Sequence, residues 1–144
     1  MNDVSTVMTS NPVGCKLHTP VRDVAKLMLE NDCGQIPVLD DVGAPIGVVT
    51  DRDIALRVVA RGGDPMTQAS AIMTTPVKAV HVDSDLKECL ALMENAQIRR
   101  VPVIDGAGKL VGMVAVADIA RACKDQPTAS VVKEVSQPPA KAAH

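Results

Sequence analysis

Two short runs in this chain carry the groups that could do chemistry, Thr50-Asp51-Arg52-Asp53 and Ala115-Val116-Ala117-Asp118. At the start of a helix, T-x-x-D is a capping pattern: the Thr50 hydroxyl accepts from an early backbone N–H while Asp53 reaches back to the Thr50 N–H. The same groups also suit a ligand. A helix start presents free N–H groups and a dipole to an anion. A carboxylate repels phosphate but accepts two hydrogen bonds from the vicinal hydroxyls of a ribose, at ~1.5–3 kcal/mol for each charge-assisted bond. Asp118 weighs between the readings. Ala115 has no capping hydroxyl, yet the acid persists, keeping both a dipole interaction of ~0.3–1 kcal/mol and the diol-binding group. Cations are placed unevenly: Arg99-Arg100 stand where the other run has Gly34-Gln35, and Arg52 stands where the other has Ala117. Neighbours on a strand point to opposite faces, so at most one of Arg99 and Arg100 enters a given cleft, and a solvated charge pair is the plainer alternative.

The elements that must position these groups are duplicated. Pro20–Ala55 aligns without gaps on Asp85–Ala120 at an offset of 65 residues, matching Pro37 with Pro102, Gly47 with Gly112 and Asp53 with Asp118. In each copy an apolar stripe at i, i+3, i+4, i+7 predicts an amphipathic helix, through Val21, Val24, Ala25 and Met28 and through Leu86, Cys89, Leu90 and Met93. Thr19-Pro20 and Ser84-Asp85 read as an N-cap followed by a favourable first helical residue. Paired apolar runs follow, Ile36–Leu39 with Ile46–Val49 and Val101–Ile104 with Leu110–Val114. Each pair is joined by an Asp- and Gly-containing turn, as in an antiparallel hairpin. A second helix begins at Thr50 or Ala115, and Val13–Leu17 and Val77–Val82 are candidate leading strands. The fold class is therefore α/β (α+β), a tandem β-α-β-β-α repeat. Each unit is too small to be secure alone, so the copies are expected to pack with pseudo-two-fold symmetry, leaving matched clefts. The expected boundaries are 5–61 for the first copy, 62–71 for a linker opened by Gly62-Gly63-Asp64-Pro65, 72–124 for the second copy, and 125–144 for a tail with a short helix at Ala129–Val135.

Composition sets limits on partners. With 47% hydrophobic and 22% charged residues the chain has a globular composition, and no apolar run approaches the ~20 residues of a spanning helix. The N-terminus lacks the basic and apolar regions of a signal peptide, which points to the cytoplasm. A net charge of −2 gives no drive toward nucleic acid or anionic lipid, and no aromatic residue offers a base-stacking platform. Any nucleobase must lie between aliphatic side chains. Cys15, Cys33, Cys89 and Cys123 show no C-x-x-C spacing and read as reduced core thiols rather than a zinc site with His18 or His81. No convergent nucleophile, acid–base pair or metal set is present, so the chain does not read as an enzyme.

G-V-V-T-D-R-D at 47–53 and G-M-V-A-V-A-D at 112–118, each preceded by h-P-V at Ile36-Pro37-Val38 or Val101-Pro102-Val103, resemble the CBS domain. The resemblance covers roughly residues 5–124 and leaves no catalytic domain over, as in a stand-alone bacterial CBS pair, or Bateman module. It implies a regulatory module that binds an adenosyl ligand, such as AMP, ADP, ATP or S-adenosylmethionine, in the clefts between repeats. It also implies a homodimer that signals to an unidentified partner protein. The first-copy site would comprise Thr50 near the ribose-phosphate and Asp53 on the ribose, with the base near Val13, Ile36, Pro37 and Val49. The second-copy site would comprise Asp118, Arg99 or Arg100, and Arg52 reaching across to phosphate, with Val77, Val101 and Pro102. The second site would then prefer a charged nucleotide such as AMP, and the first would be empty or hold a less anionic adenosyl ligand. The alternative is a ligand-free dimerisation or interaction scaffold.

Overall fold

The computed structural model describes residues 3–122. The expected helix at Ala129–Val135 and the rest of the tail lie outside them. The chain forms two units of mixed α/β structure, each built on one small sheet.

The first unit comprises residues Val13–Val77 with Gly108–Leu110. Its sheet has the order β2-β3-β4, where β2 is Cys15–Lys16, β3 is Gln35–Leu39 and β4 is Pro45–Thr50. β3 and β4 are antiparallel, pairing Gln35 with Thr50 and Ile36 with Val49, while β2 joins β3 in parallel. Helix α1 (Val21–Asn31) buries Val21, Val24 and Met28 of the predicted stripe against Ile36, Val38 and Val49, while Ala25, expected with them, is exposed at the stripe's edge. Helix α2 (Asp51–Ile54) follows β4 directly and continues as a π-helical segment, Ala55–Val59. The hairpin turns on Gly43 at φ +92°, a left-handed conformation open to glycine, and the second copy repeats the solution with Gly108 at φ +84°.

The second unit comprises residues up to Pro12, Lys78–Ala107 and the chain from Val111. Its elements are β5 (Val80–His81), α4 (Leu86–Ala96), β6 (Arg100–Ile104), β7 (Leu110–Ala115) and α5 (Val116–Ala122). The sheet order is β1-β7-β6-β5, and β1 is Thr9–Ser10, from the start of the chain. Its core gathers Cys89, Leu90, Met93, Val101, Val103, Val114 and Ile119, wholly aliphatic or sulfur-bearing apart from the backbone, as a chain without aromatic residues requires.

Sequence order and spatial grouping part company at the leading segments. Thr9 pairs with Met113 on β7, Val4 N–H donates to Ser84 O at 2.9 Å, and Val4 is fully buried in the second core. The counterparts 65 residues on do the same in the first unit: Thr74 bridges Val48 on β4, Ala69 N–H donates to Thr19 O at 2.8 Å, and Ala69 is fully buried in the first core. Each copy is thus completed by the segment that precedes the other in sequence. The stretch 62–71, expected as linker, accordingly enters helix α3 (Ala69–Ile72), which buries Ala69 and Ile72. Residues 5–12, expected with the first copy, fold with the second. Met73 and Met8 show how close this packing is: a Cβ on Gly47 would meet Met73 Sδ at 2.5 Å, and one on Gly112 would collide with Met8 Sδ.

The caps at the first helices also differ from expectation by one position. Pro20 and Asp85 are the N-cap residues, Asp85 accepting from Glu88 N–H. The hydroxyls of Thr19 and Ser84 instead close the preceding turns, accepting from Lys16 N–H at 2.9 Å and His81 N–H at 3.2 Å. In the second copy the Asp85 carboxylate, one residue closer to the helix, is the better acceptor for the free N–H; in the first, where Pro20 brings no acceptor, the carbonyls of Thr67 and Pro65 accept from Val21 and Arg22 N–H, so in both the hydroxyl is left for the turn.

Candidate functional site

In the first unit β4 runs straight into α2, so Thr50 ends a strand and caps a helix at once. Thr50 Oγ1 accepts from Asp53 N–H at 3.0 Å, and Asp53 Oδ2 accepts from Thr50 N–H at 2.9 Å, completing the capping box. Asp53 is 8% exposed, and its carboxylate has further partners. The Thr74 hydroxyl lies 3.1 Å from both oxygens, and Arg57 Nε is 3.7 Å from Oδ1. Arg57 in turn donates from one guanidinium nitrogen to the carbonyls of Ile72 and Met73, at 3.2 and 3.3 Å. Asp53 therefore joins the start of α2 to the Thr74 segment. A ribose seeking this carboxylate has to displace Thr74 and Arg57, at the cost of unpairing a buried charge.

The second unit keeps the backbone half of this arrangement and changes the rest. Asp118 Oδ2 accepts from Ala115 N–H at 2.9 Å, as in the capping box without its hydroxyl. Its other oxygen pairs with Arg121, whose side chain is 69% exposed. The pair is solvated at its arginine end and 15% exposed at the carboxyl end, so the arginine's share of it is worth ~0–1 kcal/mol. Among the described residues one carboxylate oxygen of Asp118 is thus held by a solvated partner alone, and a ligand hydroxyl can replace that partner at small cost.

The charge around the two helix starts differs in the same direction. Gly34 O accepts from Asp51 N–H at 3.0 Å, and Arg99 O accepts from Val116 N–H at 2.9 Å, so matched residues stand beside matched helices. In the first unit that place holds Gly34 beside Asp51; a Cβ on Gly34 would come within 2.9 Å of the Asp51 carboxylate. In the second unit Val116 replaces the acid, and Arg99 and Arg100 bring two exposed guanidinium groups without partners among the described residues. Arg52 is exposed on α2, and its own backbone N–H donates to Asp51 Oδ1.

The residues expected to line a base divide unevenly. Ile36, Val49 and Val101 are fully buried in the two cores, where they hold the strands in place and offer no free face to a base. Pro37 and Pro102 are buried on the same strands, and Val13 packs partly buried against the first core. Val77, expected beside the second site, is the last residue of the first unit before the chain crosses to the second. Three groups were not anticipated. Arg121 follows Asp118 by three residues, a spacing at which helical side chains meet, and was readable. Arg57 follows Asp53 by four residues and was readable on the same ground, whereas Thr74 meets Asp53 only through the exchanged segment.

Gln35 is the remaining polar group of the first unit. It pairs across the sheet with Thr50, and its side-chain Oε1 is buried with no hydrogen-bond partner in the described structure. Such an atom forfeits ~1–3 kcal/mol of hydration without return.

Two of the thiols are inert by environment: burial pushes Cys15 and Cys89 up to about 11. Among the described residues no cluster of three or more His, Cys, Asp or Glu side chains could hold a metal ion, and no helix is long and apolar enough to cross a membrane.

The sequence pattern of the CBS domain matches the chain twice, over residues 4–60 and 69–125. Hypoxic response protein 1 of Mycobacterium tuberculosis is 36% identical over 122 residues, 84% of this chain and 85% of that protein. The crystal structure of Hypoxic Response Protein I, which holds two coordinated zinc ions, superimposes with a TM-score of 0.78 at 35% identity, covering 83% of this chain and 98% of that one. The CBS domain pair of protein MJ0100, solved with 5'-methylthioadenosine and S-adenosyl-L-methionine, is similar at a TM-score of 0.78 and 25% identity, over 88% and 98% of the two chains. CBSX2 in complex with AMP is similar at a TM-score of 0.74 and 26% identity, over 87% and 98%.

Proposed function

The chain belongs to the CBS domain family as a tandem pair, and from that premise we propose that it is a non-catalytic cytoplasmic sensor of an adenosyl ligand, with AMP, ADP or ATP foremost, that passes its state to a partner protein. The binding of AMP by CBSX2 and of 5'-methylthioadenosine and S-adenosylmethionine by MJ0100 supports the ligand class. The contrast between the two acids carries the assignment within this chain. Asp53 is bound by Thr50 N–H, Thr74 and Arg57, whereas among the described residues one oxygen of Asp118 meets a solvated arginine alone. The second copy therefore takes the nucleotide, Asp118 accepting from ribose hydroxyls and Arg99 or Arg100 meeting phosphate, with Arg52 as the further cation. The first copy, with Asp51 and Asp53 at its helix start, takes a less anionic adenosyl ligand or none.

Isothermal calorimetry on Asp118→Ala and Asp53→Ala proteins tests this. AMP binding lost in Asp118→Ala and kept in Asp53→Ala is the expected result; the reverse pattern sinks the assignment. Because the chain has no Trp, Tyr or Phe, a 260 nm band in purified, nuclease-treated protein reports bound nucleotide almost without background.

A second reading, a ligand-free homodimeric scaffold, draws support from apolar side chains left in solvent. Leu29 is 83% exposed and Val59 71%, with Leu56 and Met66 also exposed. No 260 nm band, no calorimetric signal and no thermal shift across AMP, ADP, ATP and S-adenosylmethionine would favour it, since a ligand at 100 times its Kd stabilises by ~2.7 kcal/mol.

A further inference from the structure

The hydroxyl of Thr74 occupies the acceptor that a ribose would need in the first copy, 3.1 Å from each oxygen of Asp53. Thr50 N–H donates to Oδ2 and Arg57 stands beside Oδ1, so with Thr74 present both lone pairs of each oxygen are engaged. A hydroxyl carries a single proton, which the two oxygens must share. A vicinal diol brings two, one for each oxygen. Thr74 is thus an imperfect stand-in for the group that Asp53 would accept from a ribose.

The fold does not depend on this bond to hold the segment. Thr74 already pairs with Val48 through two backbone hydrogen bonds, at 2.7 and 3.1 Å, and Met73 lies close against Gly47. The second copy supplies the comparison within the same chain. Thr9 stands 65 residues before Thr74 and pairs with Met113 as Thr74 pairs with Val48. Yet Thr9 is exposed, and among the described residues no hydrogen bond joins its hydroxyl to Asp118. The same residue type at matched positions covers one acid and leaves the other open.

We propose that Thr74 is an internal competitor for ribose, its hydroxyl keeping the first copy shut to an adenosyl ligand until a diol displaces it from Asp53. The inference rests on the adenosyl-binding reading above and adds to it the residue that decides which copy fills first. The ligand admitted is one without phosphate. Asp51 and Asp53 both stand at that helix start, and Arg57 is committed to Asp53 and two backbone carbonyls. Such competition lowers the apparent affinity by the fraction of molecules in which the site is open, so removing the hydroxyl raises it.

Calorimetry with adenosine on the full Asp118→Ala chain, which silences the second copy, reads the first copy alone. Thr74→Val keeps the shape and removes the hydroxyl. Added to Asp118→Ala, it should tighten adenosine about tenfold, ~1.4 kcal/mol, as suits the release of one hydrogen bond to a charged acceptor. Thr74→Ser, which restores the hydroxyl, should return the affinity to that of Asp118→Ala, and Asp53→Asn should abolish the gain. AMP, bound at Asp118, should meet the wild type and Thr74→Val alike. Equal adenosine affinity with and without the hydroxyl, or a gain that survives Thr74→Ser or Asp53→Asn, overturns the role of Thr74 even where AMP still binds the wild type. Failure of AMP on the wild type and of adenosine on every variant overturns the adenosyl reading with it.

Discussion

Replacing Asp53 and Asp118 by alanine, one at a time, should expose how differently the two copies use the same acid. In Asp53→Ala the Thr50 N–H loses its 2.9 Å acceptor and the Thr74 hydroxyl loses both oxygens at 3.1 Å, in a place where the carboxylate is 8% exposed. The lost helix cap costs about 1 kcal/mol, and the two donors left half-buried cost about 1 kcal/mol each at the lower end of the range for unsatisfied groups. The total is ~3 kcal/mol. In Asp118→Ala the same cap bond goes and the Ala115 N–H is left unpaired, about 1 kcal/mol each, with a pair to the solvated Arg121 worth ~0–1 kcal/mol, for a total of ~2 kcal/mol. Urea unfolding followed by far-ultraviolet circular dichroism reads the difference, since the chain has no Trp fluorescence. With a slope of ~2 kcal/mol per molar urea, the midpoint of Asp53→Ala should fall about 0.5 M below that of Asp118→Ala. A cycle with Thr74→Val should return a coupling of ~1 kcal/mol with Asp53. Equal midpoints for the two alanine variants, or a coupling near zero, would refute the view that Asp53 is held by the fold and Asp118 is left available.

Gly47→Ala and Gly112→Ala should each destabilise the protein by ~1–3 kcal/mol through overpacking against Met73 and Met8. Met73→Ala should recover part of the Gly47→Ala loss by urea midpoint, while Gly112→Ala also meets Thr9 O at 3.1 Å and should yield less to Met8→Ala. Because Cys15 and Cys89 titrate at about 11, native protein at pH 8 should react with Ellman's reagent at Cys33 well before either, and both should react once urea unfolds the chain. The same shifts make folded thiols hold protons that unfolded ones release. Their contribution is complete below pH 9 and declines by up to ~3 kcal/mol each as pH rises from 9 to 11, which urea midpoints across that range should record.

The sequence made the repeated elements legible where the signal is periodic and local. The stripes in α1 and α4, the hairpin turns and the Thr50–Asp53 capping box are all patterns within a few residues, and all stand as their spacing suggests. What escaped was non-local. The strand Thr9–Ser10 has two residues and α3 has four, too few to show a period, and their partners lie far along the chain. The saturation of Asp53 escaped for the same reason, since Thr74 stands 21 residues away and reaches it only through the exchanged segment. The trace was present all the same: Met-Thr occurs at 8–9 and again at 73–74, at the offset of the main repeat. The aliphatic lining expected for a base draws on strand residues such as Ile36 that also build the core, a double role that the apolar pattern of a strand does not separate.

The exchange of leading segments has a consequence for the ancestry of the chain. A single ancestral copy, with its own leading segment directed outward, would have had no strand to finish its sheet except one lent by a second molecule. Fusion of two such copies would turn that loan between molecules into one within a chain. A copy cut free at its sequence boundaries, such as residues 66–122, should accordingly regain the older state and assemble as reciprocal pairs.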